Sequence, residues 1–245
     1  MLKGKVIVGI LPFYDSKNDV NPYQDRVSFV RLIEQIIMDS GAIPIGILND
    51  KVEKYFDICD AYIWPGGNSI ENGFYKIFDD AINNHKPILG ICLGMQAITT
   101  FFNIIEDNKK NANLSFEQTY QINKDANPYL VKINDSILNN HNLYITIDDE
   151  ESLNNAIHKI NIESNNIMYD IYKTNEISVA SMHSFMVARV PNDIIVSARA
   201  DDGVIEAVEY TKNNANILGV QYHPEILRDT KIFNWLIDKV LENNK

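Results

Sequence analysis

Apolar positions along this chain follow two periods, one of strands and one of helices, that alternate through its first hundred residues. Lys5–Leu11 is a short continuous apolar run, the pattern of a strand covered on both faces. Phe13–Tyr23 is polar and reads as a loop. From Val27 to Ser40 the apolar residues Val27, Val30, Ile33, Ile36 and Ile37 recur at helical spacing, and Gly41 is placed to end the helix. Ile43–Leu48 and Ala61–Trp64 return to the strand pattern, with a short helix expected over Val52–Cys59. Glu71–Asn84 sets Phe74, Ile77, Phe78 and Ala81 on one helical face. Ile88–Ile91 is again a strand and Leu93–Phe102 a helix. Strands alternating with helices at these intervals predict βαβ units and a doubly wound, mostly parallel α/β sheet.

The pattern then loosens. From Asn103 to about Asn175 the chain is asparagine-rich, with short alternating segments such as 129-YLVKI-133 and 143-LYITI-147. This stretch is expected to form an added peripheral region of strands, hairpins and loops. Four β-like runs follow, 177-ISVASM-182, 194-IIVSARA-200, 204-VIEAVEY-210 and 217-ILGVQY-222, separated by turns rich in Pro, Asn, Asp and Gly. Ile232–Leu241 is amphipathic and closes the pattern as a helix. No linker composition or internal repeat interrupts it, so residues 1–245 are expected to form a single domain.

Composition narrows the partners. With 45% hydrophobic and 22% charged residues among 245, the chain falls in the ordinary globular range. A formal charge of −11 argues against nucleic acid or an anionic membrane surface as a partner. Two cysteines, Cys59 and Cys92, suit a reducing, cytoplasmic compartment better than a disulfide scaffold. The apolar N-terminal run stops at Pro12, too short to span a bilayer, and reads as a first strand rather than a signal peptide. The pattern leaves the oligomeric state open, a homodimer included.

The chemistry concentrates at strand ends. In 90-GICLG-94 a strand leads in and a helix leads out, with Cys92 on the turn between two glycines. Such an elbow lifts a nucleophile off the sheet, and the helix N-terminus favours a thiolate and offers free N–H groups to an oxyanion. Alone, the pentapeptide fits a small buried hydrophobe equally well. A thiolate needs a base. His85, His141 and His158 lie in polar, asparagine-rich surroundings and are expected on the surface. His223 follows a strand in 221-QYHPE-225, with Glu225 two residues on to orient the imidazole. A helix start explains His-Pro-Glu on its own, but not its pairing with a cysteine elbow on another strand end. The turn 64-WPGGNS-69 lets backbone approach a ligand closely, though in isolation it is a plain strand-to-helix turn. No Cys/His pair stands at metal-ligand spacing and no phosphate loop appears, so neither metal nor cofactor is expected. Cys59 reads as a packing residue.

Pro65-Gly66-Gly67, Gly90–Gln96 and Gln221–Glu225, in this order, resemble the class I glutamine amidotransferase superfamily. Within it the chain most resembles the γ-glutamyl-γ-aminobutyrate hydrolase group of cysteine γ-glutamyl peptidases. Ser181-Met182-His183 is similar to that group's Ser-x-His stretch, and 202-DGVIEAVE-209 to its DG-x-x-EA-x-E segment. The resemblance implies a flavodoxin-like fold with Cys92 as nucleophile, His223 as base and Glu225 as its partner. It implies an oxyanion hole from the backbone of Gly67 and Leu93. It further implies that Gln96, Ser181, Met182, His183, Ser184 and Phe185 lie against a small γ-glutamyl substrate. The group's Asp-x-x-Arg-Asp motif is missing, 99-TTFFN-103 stands where a Gly-Gly pair is common, and Leu93 occupies a position often filled by Arg. Leu93 matches many amidotransferases instead. The expected function is therefore hydrolysis of a γ-glutamyl amide through a thioester. Its alternatives are a glutaminase subunit donating ammonia to a separate synthetase, and an inactive binding module of the same fold. Because no synthetase segment follows the final helix in the sequence, release of free products is the first expectation.

Overall fold

The computed structural model describes residues 5–14, 27–48, 51–67, 72–110, 114–123, 127–134, 141–143, 145–146 and 149–243. The strands in the first half are β1 (Ile7–Ile10), β2 (Phe13–Tyr14), β3 (Val27–Ser28), β4 (Ile43–Gly46), β5 (Ala61–Trp64) and β6 (Ile88–Ile91). Those in the second half are β7 (Leu130–Lys132), β8 (Ile157–Ile162), β9 (Glu176–Ala180), β10 (Phe185–Val187), β11 (Ile195–Ala200), β12 (Ile205–Tyr210) and β13 (Ile217–Val220). The helices are α1 (Arg31–Asp39), α2 (Lys76–Asn84), α3 (Leu93–Lys110), α4 (Phe116–Asn123), α5 (Glu150–Asn155), α6 (Ile167–Tyr172) and α7 (Thr230–Asn243).

The continuous apolar runs do what their pattern predicts. β5, β6 and β13 are buried at every position, as strands covered on both faces must be. The central sheet runs β4-β1-β5-β6-β13-β12-β11-β8-β9. Its first five strands are mutually parallel, and the remaining four continue antiparallel. This is the doubly wound α/β sheet expected from the strand–helix alternation. One face carries α1, α6 and α7, which bury Ile33, Ile36, Met168, Phe233 and Leu236 against it. The other carries α2 and α3 through Phe78, Met95, Ile98 and Phe101. α1 has no side-chain cap bond at its N-terminus. Its three buried isoleucines, at ~1.5–3 kcal/mol each, outweigh the ~1 kcal/mol that a cap supplies.

Several boundaries differ from the sequence expectation. The Val27–Ser40 helix starts at Arg31, because Val27 and Ser28 pair with Phe13 and Tyr14 in a small ribbon. The Val52–Cys59 helix is a single 3-10 turn over Val52–Tyr55. α3 continues past Phe102 to Lys110. Buried Asn103 does not break it, because its amide donates to Thr99 O and Arg189 O, each at 2.9 Å. The stretch expected to be peripheral is more helical than its composition suggests and holds α4, α5 and α6. It also supplies β8, which lies inside the central sheet between β11 and β9. Of 143-LYITI-147, residues 144 and 147 lie outside the described residues; the neighbouring Asn142 makes an isolated bridge to Met182. Among the described residues, no helix is long and apolar enough to cross a membrane.

Candidate active site

Cys92 sits between β6 and α3 with φ 52, a left-handed backbone that a β-carbon makes costly, by ~1–3 kcal/mol. Two bonds hold it there. Its N–H donates to Val220 O on β13 at 2.7 Å, and its carbonyl accepts the first α3 bond from Gln96 N–H at 3.2 Å. The turn closes only because residue 94 is glycine: a β-carbon there would lie 2.1 Å from Trp64 O. The side chain, 7% exposed, therefore stands at the N-terminus of a long helix.

β13 pairs with β6 in register, Val220 beside Ile91, so residues past the two carboxyl ends emerge side by side. His223 follows β13, anchored by its N–H on Ala180 O at 2.8 Å. Its Nδ1 lies 2.7 Å from Glu225 Oε1. A carboxylate only accepts, so Nδ1–H donates and Nε2 is left buried without a hydrogen bond. Cys92 and His223 converge on Gly66. A β-carbon on Gly66 would lie 2.8 Å from His223 Cε1, 3.5 Å from His223 Nε2 and 3.4 Å from Cys92 Cβ. Burial opposes a charged His223, but Glu225 and Cys92 outweigh it and push the imidazole well above its usual range.

These groups open into a cavity of about 640 Å³. Of the residues singled out in the sequence, Gly67, Cys92, Leu93, Gln96, Met182, His183, Ser184, Phe185, His223 and Glu225 line it. Leu93 is the first residue of α3, so its N–H belongs to the helix turn that has no internal acceptor. Met182 O lies 4.0 Å from Cys92 Sγ. Gln96 Nε2 donates to Phe185 O at 3.0 Å and to Gln221 Oε1 at 3.2 Å, tying α3 to β10. Ser184 Oγ donates to Asn142 Oδ1 at 2.9 Å. Ser181 does not line the cavity; it is fully buried, with Oγ 2.8 Å from His158 Nε2.

Two histidines expected on the surface are not there. His141 is 1% exposed, and the His158 side chain is 8% exposed. Both turn toward Glu206 of β12, together with His183. Asparagine-rich flanks set no burial: His158 lies on a central-sheet strand, and the His141 segment is docked by His183 N–H on His141 O. His85 is exposed, as expected. Burial would keep Glu206 neutral, but His141 and His183 outweigh it and hold its pKa near 2. Burial also disfavours a charged His141, yet Glu206 and Asp202 raise its pKa; for His158 burial prevails and lowers it. The one sequence signal was Glu206 itself, a carboxylate amid an apolar strand, which demands partners. Glu209, from the same segment, is structural: its oxygens accept the Ile167 and Met168 N–H groups at 2.9 Å and cap α6. Cys59 packs against Gly9, and burial pushes its thiol up to about 12.

Residues 75–225 match the Peptidase C26 family, and the chain belongs to that family. It is 27% identical to a glutamine amidotransferase-like protein, RP404, of Rickettsia prowazekii (strain Madrid E), covering 100% of this chain and 99% of that one. It is 24% identical to a CTP synthase of Nautilia profundicola over 80% of this chain, which spans 37% of that enzyme's length. In structure it resembles the glutaminase domain of Trypanosoma brucei CTPS, solved with bound acivicin. That match has a TM-score of 0.62 at 17% identity and covers 97% of this chain and 94% of that one. The resemblance to class I glutamine amidotransferases read from the three strand-end motifs therefore holds, and so does the fold it implied.

Proposed function

We propose that the protein is a cysteine hydrolase that cleaves the γ-amide of a small γ-glutamyl compound through a thioester. The observation that carries this reading is the convergence of a left-handed Cys92 and a Glu225-held His223 in one cavity, at the ends of adjacent strands. In this reading Cys92 gives its proton to His223 Nε2, and the thiolate attacks the γ-carbonyl. The Gly67 and Leu93 N–H groups receive the developing oxyanion. The imidazolium protonates the departing amine, leaving a glutamyl thioester on Cys92. Water, deprotonated by the same imidazole, releases glutamate and restores the thiol. Met182, His183, Ser184 and Phe185 form the wall that orients the glutamyl group, with Gln96 holding that wall to α3.

A second reading has its own support: the match to CTP synthases and Leu93 at the position after the nucleophile favour a glutaminase that feeds ammonia to a separate synthetase. The test is a substrate panel on the purified chain, comparing glutamine, γ-glutamyl-γ-aminobutyrate and short γ-glutamyl peptides. Turnover of γ-glutamyl amines by the isolated chain supports hydrolysis. Turnover of glutamine alone, and only with a partner protein, supports the second reading. No turnover on any of them, combined with a Cys92 inert to iodoacetamide, overturns both.

A further inference from the structure

Beside the cavity, three histidines face one buried carboxylate. His141 Nδ1 lies 3.3 Å, His183 Nε2 3.6 Å and His158 Nε2 3.8 Å from Glu206 Oε1. Glu206 is 0% exposed, His141 1% and His183 4%. Both Glu206 oxygens, His141 Nδ1 and His183 Nε2 are buried without a hydrogen bond. Unpartnered polar atoms this deeply buried are uncommon, and here they point at one another.

The outer nitrogens show which form the rings take. His141 Nε2 is 2.7 Å from Asp202 Oδ2, His183 Nδ1 3.0 Å from Phe185 O, and His158 Nδ1 3.2 Å from Lys159 O. Each partner only accepts, so each outer nitrogen carries the hydrogen. In a neutral imidazole the inward nitrogen is then a lone pair, bare on His141 and His183 and 2.8 Å from the Ser181 hydroxyl on His158. Lone pairs aimed at a carboxylate repel unless a positive centre sits among them.

The spacing separates a proton from a metal ion. A charge-assisted N–H···O bond draws its atoms to about 2.7–2.9 Å. Ligands held about 2.0–2.2 Å from a tetrahedral metal stand about 3.3–3.6 Å from one another. The pairs at 3.3 and 3.6 Å match the second geometry, and the 3.8 Å pair needs only a slight closing. The ligand atoms of His141, His158 and Glu206 all lie within 4.8 Å of one another. Outer nitrogens held by a carboxylate or carbonyl are also what orients metal-bound histidines.

We propose that His141, His158 and Glu206, the three whose ligand atoms cluster within 4.8 Å, bind one zinc-class divalent transition-metal ion, with His183, 3.6 Å from Glu206 Oε1, drawn in as fourth ligand. Imidazole with one carboxylate suits zinc and its neighbours, whereas magnesium and calcium take oxygen ligands. Glu206 and the nearby Asp202 together balance the charge of such an ion. Four protein ligands close the site, so its role is structural. It ties β8 and β12 to the 181–185 wall, whose Met182 O stands beside Cys92 Sγ. No metal was expected from the sequence because the ligands come from four separate segments, which residue spacing does not reveal. The proposal is independent of the reaction assigned to Cys92.

The test uses the full chain carrying Cys92→Ser, so that Cys92 and His223 offer no rival thiolate–imidazole site. The chelator-stripped protein is titrated with Zn²⁺ calorimetrically, and bound metal is counted by mass spectrometry after gel filtration. One zinc per chain is expected, with a zinc-dependent rise in the unfolding midpoint. Combining His141→Ala with His158→Ala should abolish that binding, and Asp202→Asn should weaken it about 10- to 100-fold. Circular dichroism reports whether each variant is folded; if the double variant is not, Asp202→Asn carries the comparison. Substoichiometric binding by the folded Cys92→Ser chain, or affinity unchanged in these variants, overturns the proposal.

Discussion

Cys92 is held in a left-handed conformation that few residues other than glycine adopt, and the bonds from its backbone to Val220 and Gln96 keep it there. In the proposed reaction its replacement by Ser or Ala removes the thioester. Turnover on the γ-glutamyl panel should then vanish while the circular dichroism spectrum stays unchanged; an undiminished rate in either variant contradicts the assignment. His223 carries the pH dependence. Its folded pKa lies well above its ordinary value of 6.5, because Glu225 and Cys92 outweigh burial. The sign follows from linkage: this raised pKa stabilises the fold fully below about 6.5, and the contribution is lost as pH rises through the folded value. Glu225→Gln removes the first of the causes that raise it. The alkaline limb of kcat/KM should therefore move to lower pH and the rate fall about 10²- to 10⁴-fold. An unmoved limb in a pH–rate series would count against the His223–Glu225 pair. Cys92, His223 and Glu225 were legible in the sequence because each sits in a motif whose local geometry is set by its immediate neighbours. His141 and His158 were not, because their burial comes from β8 pairing between β11 and β9 and from the 141–143 segment bonding to Met182 and His183.

At the scale of elements, the junction of β6 and α3 depends on the missing side chain of Gly94, which lies against Trp64 O. Gly94→Ala forces strand or helix to shift, and urea titration should show a loss of ~1–3 kcal/mol or more. α6 is short, and its start is held by Glu209 through two backbone N–H groups. Glu209→Ala leaves those donors buried and unpaired, which costs ~1–3 kcal/mol. Hydrogen exchange at Ile167 and Met168 should accelerate in that variant; unchanged protection there would remove the capping role. β5 and β6 match the sequence expectation residue for residue, since strands buried on both faces are continuous apolar runs bounded by turn residues. β8 escaped notice because 157-IHKINI-162 mixes buried isoleucines with exposed Lys159 and Asn161 and reads as a peripheral hairpin. α3 runs on into the asparagine-rich stretch that starts at Asn103, because the Asn103 amide is satisfied inside the helix and by Arg189.

The whole molecule joins two differently built halves through one shared sheet. The parallel half supplies Cys92 and His223; the antiparallel half, with the loop between β9 and β10, supplies the wall opposite them. β13 is the seam, pairing parallel with β6 and antiparallel with β12. We propose that such a seam makes the chain a single cooperative unit. Calorimetric and van't Hoff enthalpies should then agree in one transition, and two resolved transitions would show separate domains. The proposed reaction requires that Cys92 become acylated by the glutamyl group. Rapid acid quench of the chain during turnover of a γ-glutamyl amide, followed by intact-mass and peptide analysis, tests it most directly. The expected result is a gain of one glutamyl residue, located on Cys92 and absent in Cys92→Ser. Steady turnover with no adduct on Cys92, or an adduct that persists in Cys92→Ser, would contradict it.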